Sequence, residues 1–170
     1  MIIKDKIQKV ESSDAYEVWR KENPTPHLAH IFVMLEKPEG QVENESMQVG
    51  YYDSESDMVT VFVVNDEVSQ LPESEIFKEE HKNIKEIDLN TVNIDLPDAL
   101  EKALSLAKQK YAKHEPDKVI SILQIIEGQQ MYNITIVTKT FNMINIRIDT
   151  QTEEIISDQI NSIFDLKKDE

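Results

Sequence analysis

The chain of 170 residues contains no cysteine and only three glycines. Without cysteine it has no disulfide, no thiolate nucleophile and no thiolate zinc site. Gly40, Gly50 and Gly128 lie far apart, so no glycine-rich loop is present to hold the phosphates of a nucleotide. No apolar run approaches the roughly 18 residues of a membrane-spanning helix. These absences exclude several enzyme classes, and we expect no cofactor.

Acidic residues outnumber basic ones by 33 to 18, which gives a net charge of −15. The acids are spread over both halves, and the lysines form no cluster. Such a surface repels nucleic-acid phosphates and anionic lipids, so we expect neither nucleic acid nor membrane as a partner. The segment from Met1 to Ile7 has no apolar stretch of signal-peptide length. The sequence as it stands therefore predicts a cytoplasmic protein, or an exported one if a signal segment has been removed.

The order of predicted elements recurs along the chain. Asp14-Ala15 and Asp98-Ala99 each open a predicted helix, and three β-type runs follow each helix. A lead-in of extended type precedes each helix, at 2–10 and at 84–89. Such self-similarity indicates one unit built twice. We therefore predict an α+β protein of two tandem αβββ units, each a helix packed on an antiparallel sheet: a first unit at 1–70, a partly helical linker at 71–83 and a second unit at 84–170.

Capping residues and apolar spacing predict the individual elements. Ser12 or Ser13 caps the first helix, and Asp95 caps the second, whose apolar residues recur at three- and four-residue steps. A short helix is expected from Pro72, and the tail from Thr152 fits either a last strand with a helical turn or an amphipathic helix. The apolar stripe of the first helix is Ala15, Val18 and Trp19. The predicted strands are 27–35, 47–52, 58–64, 119–126, 131–137 and 141–148.

Four segments of the second half match the pattern of a known small module: 96–100 and its continuation to 107 in the helix, 132–136 and 144–150 in the strands, and 154–156 at the close. On these residues the second half resembles a PepSY-like domain, and the first half is similar more weakly through 13–15 and 58–64. Where that family has a Thr-Gly-Glu turn, this chain has Thr152-Glu153-Glu154. The resemblance implies a binding or inhibitory module without catalytic residues.

Two groups of residues have spacings that suggest metal binding at first sight. Asp53, Glu55 and Asp57 begin like an EF-hand calcium loop, but the glycine and glutamate that the loop needs are absent, so we predict a solvated hairpin turn. His27 and His30 are three apart on a predicted strand, which directs them to opposite faces. The other two histidines, His81 and His114, have no partner at ligand spacing. We therefore predict no metal site.

No pattern of a nucleophile with a base is present, so we predict that the protein is not an enzyme. Tyr51 and Tyr52 are adjacent on a predicted strand, and one ring must face away from the core. An outward aromatic ring beside an acidic turn is a candidate interface anchor, although a wet sheet face explains it as well.

The leading hypothesis is a protein- or peptide-binding, regulatory module that acts through a sheet edge or a sheet face. The alternative is a carrier of a small apolar ligand, with a pocket between helix and sheet. A third hypothesis is an enzyme that uses surface carboxylates with a divalent metal. Self-association through a sheet edge, as a homodimer, fits every one of these.

Overall fold

The computed structural model of the chain describes residues 1–72, 74–75 and 84–166. The helices are α1 (Ile2–Glu11), α2 (Asp14–Glu22), α3 (Leu96–Lys110) and α4 (Ile163–Leu166). The strands are β1 (His27–Leu35), β2 (Met47–Asp53), β3 (Met58–Val64), β4 (Val68–Gln70), β5 (Ser74–Glu75), β6 (Pro116–Ile126), β7 (Gln129–Thr138), β8 (Asn142–Asp149) and β9 (Ile155–Ser162). Two short 3-10 turns lie at Val42–Asn44 and Leu89–Thr91.

The nine strands of the described residues belong to one antiparallel sheet. The order across it is β4-β3-β2-β1-β6-β7-β8-β9, and β5 pairs with β3 beside β4. The predicted α+β fold of two tandem αβββ units, each with its own sheet, is therefore wrong. The description of the chain as a tandem PepSY-like repeat of α+β type is wrong for the same reason, because the molecule is a single sheet-rich structure.

The junction between β1 and β6 explains why the two halves share a sheet. The strands pair antiparallel from Ile31 opposite Leu123 to Leu35 opposite Val119. One face of each strand carries buried apolar residues, such as Val33 on β1 and Val119 on β6. The opposite face is apolar as well, because Phe32 on β1 lies opposite Ile122 on β6 there. A strand with two apolar faces is stable inside a sheet rather than at its edge. Pairing of the two strands places both there.

The helices cover one face of the sheet, which we call the helical face; the other is the second face. α1 and α2 pack over the β2–β4 side, and α3 packs over β7 and β8. The buried side chains between them form one hydrophobic cluster that draws on both halves of the chain. The largest of its fully buried members are Tyr51, Tyr132, Phe62, Ile3, Met47, Leu96, Leu123, Ile134, Ile136, Ile144 and Ile146.

Ile2–Glu11 form a helix, where the sequence suggested a short edge strand or an extended lead-in. Ile3, Ile7 and Val10 are all buried on one side of α1. The steps of four and three residues between them are the spacing of one helix face. The same residues can also be interpreted as a loose strand alternation, and that interpretation was the one predicted from the sequence. Residues 84–88 have no regular structure and lead into the 3-10 turn. The supposed similarity between the two lead-ins is therefore wrong.

Asp95 connects the starts of two helices. One carboxylate oxygen accepts a hydrogen bond from the Ile2 amide at 2.8 Å, and the other accepts from the Leu96 amide at 3.0 Å and from the Ile3 amide at 3.5 Å. The first amides of a helix have no partner within the helix and carry its partial positive charge. A single carboxylate thus caps both α1 and α3, where the sequence predicted a cap for α3 alone.

Most of the remaining predicted elements lie where they were expected. The tail forms β9 followed by the single turn α4, which confirms the first of the two alternatives for it. In α2 the buried residues are Tyr16 and Trp19, whereas Val18 is exposed, so its place in the apolar stripe is wrong. The helix expected from Pro72 falls largely outside the described residues, and 74–75 are in a strand. None of the helices in the described ranges is long and apolar enough to cross a membrane.

Candidate functional site

Tyr51 lies in the core of the helical face. Its ring is 1% exposed and packs against Tyr16, Trp19 and Phe62, with centroid distances of 5.3 to 6.0 Å. The guanidinium of Arg20 lies 5.7 Å from the ring centroid. Burial, and then the neighbouring Glu11 carboxylate, raise the pKa of the Tyr51 hydroxyl. The ring anchors α2 to the sheet and is not accessible to a partner.

Tyr52 points to the second face, as the alternation of a strand requires, but it is also only 1% exposed. Its hydroxyl donates to the Asp57 carboxylate at 2.7 Å. The His27 ring meets it edge-on with centroids 5.7 Å apart. The Tyr52 ring does face away from the helical-face core, as the alternation predicted, but both tyrosines are only 1% exposed, so neither presents an exposed anchor in this conformation.

The acidic turn after β2 uses its own carboxylates internally. Asp53 accepts from the Glu55 amide at 3.0 Å, from the Ser56 hydroxyl at 3.1 Å and from the Thr25 hydroxyl at 3.1 Å. The bond from the Glu55 amide is the main cause that lowers the pKa of Asp53. Within the described ranges, no three histidine or carboxylate side chains are grouped closely enough to hold a metal ion.

A β-bulge changes where the two histidines of β1 point. The register with β2 shifts between Leu28 and His30, so His27 pairs with Tyr52 and His30 with Gly50. Both histidines therefore lie on the second face, and the expected opposite placement is wrong. The His30 ring occupies the space above Gly50 that a Cβ atom would need. Its burial lowers the pKa of His30, since a charged imidazole would lose hydration there.

The two ends of the sheet differ in how they are protected. At one end β3 is covered by β4, of three residues, and by β5, of two residues. Very short edge strands are a common protection against pairing with another chain. At the other end lies β9, which has eight residues and pairs with β8 alone among the described strands. Its sequence contains no lysine, arginine or proline, the residues that usually protect an edge.

The register of β9 shows which of its backbone groups face outward. The Ile163 amide donates to the Phe141 carbonyl at 2.9 Å, and Ser162 lies opposite Asn142. In an antiparallel ladder alternate residues direct both backbone groups to the same neighbour. The N–H and C=O groups of Asp158, Ile160 and Ser162 therefore point away from β8. These three residues offer a row of donors and acceptors for an additional strand.

The only charged side chain of β9 is neutralised from within. Asp158 accepts hydrogen bonds from the Lys110 ammonium and the Tyr111 hydroxyl, each at 2.6 Å. The bond from Lys110 is the first cause that lowers the pKa of Asp158. A charge that points inward at an edge strand would normally oppose an incoming strand. Here two partners at the end of α3 already hold it.

Exposed apolar side chains are concentrated at the same edge. Ile156 is the extra residue of a bulge in β9 and is 42% exposed. Phe141 and Phe164 are each 60% exposed, and their rings pack on one another with centroids 5.9 Å apart. They account for three of the six large apolar residues found exposed in the described part of the chain. The β9 edge therefore combines free backbone groups with apolar anchors, and we take it as the candidate site.

A cleft of about 370 Å³ lies between α3 and the loop after β1. Its floor is apolar, with Leu35, Val42, Leu100 and Val119 almost fully buried. Glu43, Glu101 and Lys108 are among the polar residues at its border. The volume falls in the range of small-molecule sites. A second hollow, of about 350 Å³, lies on the second face beside His30 and Phe32.

The comparisons with known proteins add a fold and no family. No protein-family model and no curated protein matches the chain. Among solved structures, it is similar to a candidate lipoprotein from Clostridium difficile 630, with a TM-score of 0.52. The two sequences are 14% identical, and the match covers 90% of this chain and 94% of that chain. At this identity the likeness shows a shared fold alone, and it does not bear on the PepSY-like resemblance.

Proposed function

We propose that the protein is a non-enzymatic binding module that accepts an extended peptide or protein segment as an added strand along β9. The observation that carries the proposal is the unprotected edge, with the outward backbone groups of Asp158, Ile160 and Ser162. Strand addition draws its affinity from main-chain hydrogen bonds and its specificity from side-chain contacts on alternate residues. Ile156 and the Phe141–Phe164 pair supply such contacts at the two ends of the strand.

The test uses nine-residue peptides selected from a displayed random library against the immobilised protein. A peptide that adds to the edge should protect the amides of Asp158, Ile160 and Ser162 from hydrogen exchange. The amides of Gln159 and Asn161, which point to β8, should change little. Protection elsewhere, with no change along β9, would contradict the proposal.

A matched pair of variants at Ile160 separates the backbone from the side chain. Ile160→Pro and Ile160→Ala both remove the isoleucine side chain, but only proline removes the outward N–H. Both should lower the melting temperature by a similar amount, because the bonds to β8 remain. Only Ile160→Pro should abolish peptide binding. Equal binding by the two variants would show that the outward N–H is not used.

A second candidate function, a carrier of a small apolar ligand, is favoured by the cleft beneath α3. Ser105 lines this cleft and is exposed, whereas Gln109 lies on the same helix outside it. If the cleft binds ligand, Ser105→Trp should block a saturable thermal shift by a long-chain fatty acid, and Gln109→Trp should not. The absence of any shift in the unmodified protein would count against this function.

We further propose an exported location, the alternative to the cytoplasm that the sequence left. Its support is that the similar solved structure belongs to a protein described as a candidate lipoprotein. Fractionation of the source cells, with an antibody against the chain, tests the location. Recovery from the membrane or extracellular fraction would support export, and recovery from the cytoplasm would refute it.

A further inference from the structure

We propose that the strand that β9 accepts is β9 of a second copy, so that two sheets join into one across a two-fold axis. This inference rests on the proposed function, because it names the partner of the same edge. The support for it is that the side chains of β9 are complementary to those of a second β9 that runs antiparallel to it. A homodimer through a sheet edge needs a strand that is complementary to its own reverse.

One antiparallel register makes β9 self-complementary. With Ile160 opposite Ile160 of the second copy, Asp158 lies opposite Ser162 of that copy, and the reverse pair forms as well. All three pairs use outward backbone groups, so each can exchange two hydrogen bonds. On the helical face the isoleucines meet at the axis, and each carboxylate meets a hydroxyl. On the second face, Gln159 lies opposite Asn161.

The neighbouring registers are chemically worse. If the axis passes through Asp158, two carboxylates lie directly opposite one another, which destabilises a sheet. If it passes through Gln159, each Asp158 carboxylate lies opposite an isoleucine. Of these three registers, only the one about Ile160 avoids an unfavourable pair at every position.

The exposed apolar residues fit the same register. In this pairing Ile156 of each copy lies towards the C-terminal end of the other copy's β9, which α4 with its exposed Phe164 follows directly. Ile156 is the exposed bulge residue of β9, and Phe164 carries the exposed aromatic pair with Phe141. Both ends of the joint would therefore bury apolar surface that is exposed in the single chain.

The net charge of −15 predicts how the association responds to salt. Two copies repel one another, and added salt screens that repulsion over a Debye length of about 10 Å at 0.1 M. Self-association should therefore strengthen from low salt to about 0.3 M. Sedimentation over about 1 µM to 1 mM protein, a range that covers weak dimers, measures it directly.

The absence of native cysteine allows a test of the register itself. Gln159→Cys and Asn161→Cys are prepared as two separate proteins and mixed under mild oxidation. The proposed register makes Gln159 and Asn161 of the two copies a non-hydrogen-bonded pair, with Cα atoms about 4.5 Å apart, close enough for a disulfide. The mixed disulfide should form, whereas neither protein alone should cross-link efficiently. Efficient cross-linking of Gln159→Cys with itself would indicate the register about Gln159 and overturn the proposal.

Two matched surface variants test the apolar ends of the joint. Ile156→Asp should weaken the dimer about tenfold or more, which corresponds to roughly 1.4 kcal/mol. Val18→Asp also places an acid at an exposed apolar position, on α2 far from β9 along the chain, and should leave the dimer unchanged. Equal effects from the two variants would show that charge alone acts and would refute the contact.

The outcomes separate this inference from the proposed function. A monomer at every concentration and no mixed disulfide would overturn self-pairing. The proposed function would survive that result if selected peptides still protect the β9 amides. If the protein dimerises through β9 but no peptide binds it, the result would support self-pairing and contradict the binding of a different protein or peptide at this edge.

Discussion

Replacement of Asp95 by alanine should destabilise the protein about twice as much as the loss of an ordinary helix cap. The carboxylate accepts amide hydrogen bonds from Ile2 and Leu96, at the starts of α1 and α3. The loss of one capping side chain costs about 1 kcal/mol, so two helices give about 2 kcal/mol. For a chain of this length the melting temperature should fall by about 3 °C per kcal/mol, or about 6 °C in all.

Ser13→Ala provides the matched control, because Ser13 caps α2 alone and accepts from the Tyr16 amide at 3.2 Å. We expect about 1 kcal/mol for it. Denaturant titration of both variants gives the comparison. Hydrogen exchange then locates the effect, which should appear in the first turns of both α1 and α3 in Asp95→Ala. If Asp95→Ala costs no more than Ser13→Ala, or opens one helix only, the double cap does not contribute as the geometry indicates.

Two further predictions concern the packing of His30. Gly50→Ala should lower the free energy of unfolding by about 1–3 kcal/mol, because the added Cβ would overlap the His30 ring. The double variant with His30→Ala should recover part of that loss. If the effects of the two substitutions are strictly additive, the contact is refuted. Since burial lowers the pKa of His30, the unfolded chain binds more protons than the folded one as the pH falls below about 7. The free energy of unfolding should therefore decline from neutral pH towards pH 5. Denaturant titration should show a shallower decline in His30→Gln. An unchanged slope in that variant would exclude His30 as the origin of the decline.

The sequence was informative wherever a residue's environment depends on its near neighbours. The apolar runs 27–35 and 58–64 predicted β1 and β3 with the bounds that the structure has, because a short apolar run between polar turns is a local signal of a buried strand. The capping role of Asp95 was predicted for α3 for the same reason. The segment around Ile3, Ile7 and Val10 shows the limit of such patterns. Three apolar residues in eight positions suit a loose strand and a helix, and the helix forms because all three reach the core together.

The arrangement of the sheet could not be predicted from local pattern. The pairing of β1 with β6 joins residues about ninety positions apart, and nothing near Phe32 or Ile122 specifies that neighbour. The candidate site was missed for the same reason. β9 was recognised only as one of two alternatives for the tail, and its importance comes from being last in the strand order. The absence of lysine and proline in 155–162 was the available signal, but it has meaning only once the edge is known.

The net charge gives binding of a basic peptide and binding of a second copy at the β9 edge opposite dependences on salt. A chain with 33 acidic and 18 basic residues attracts a basic peptide and repels its own copy. Added salt screens both effects, so it should weaken binding of a basic peptide and strengthen self-pairing of β9. A lysine-containing strand peptide that binds more tightly at about 0.3 M salt than at low salt would refute this electrostatic argument. The opposite signs follow from one charge distribution, so a single salt titration distinguishes a basic peptide from a second copy at the edge.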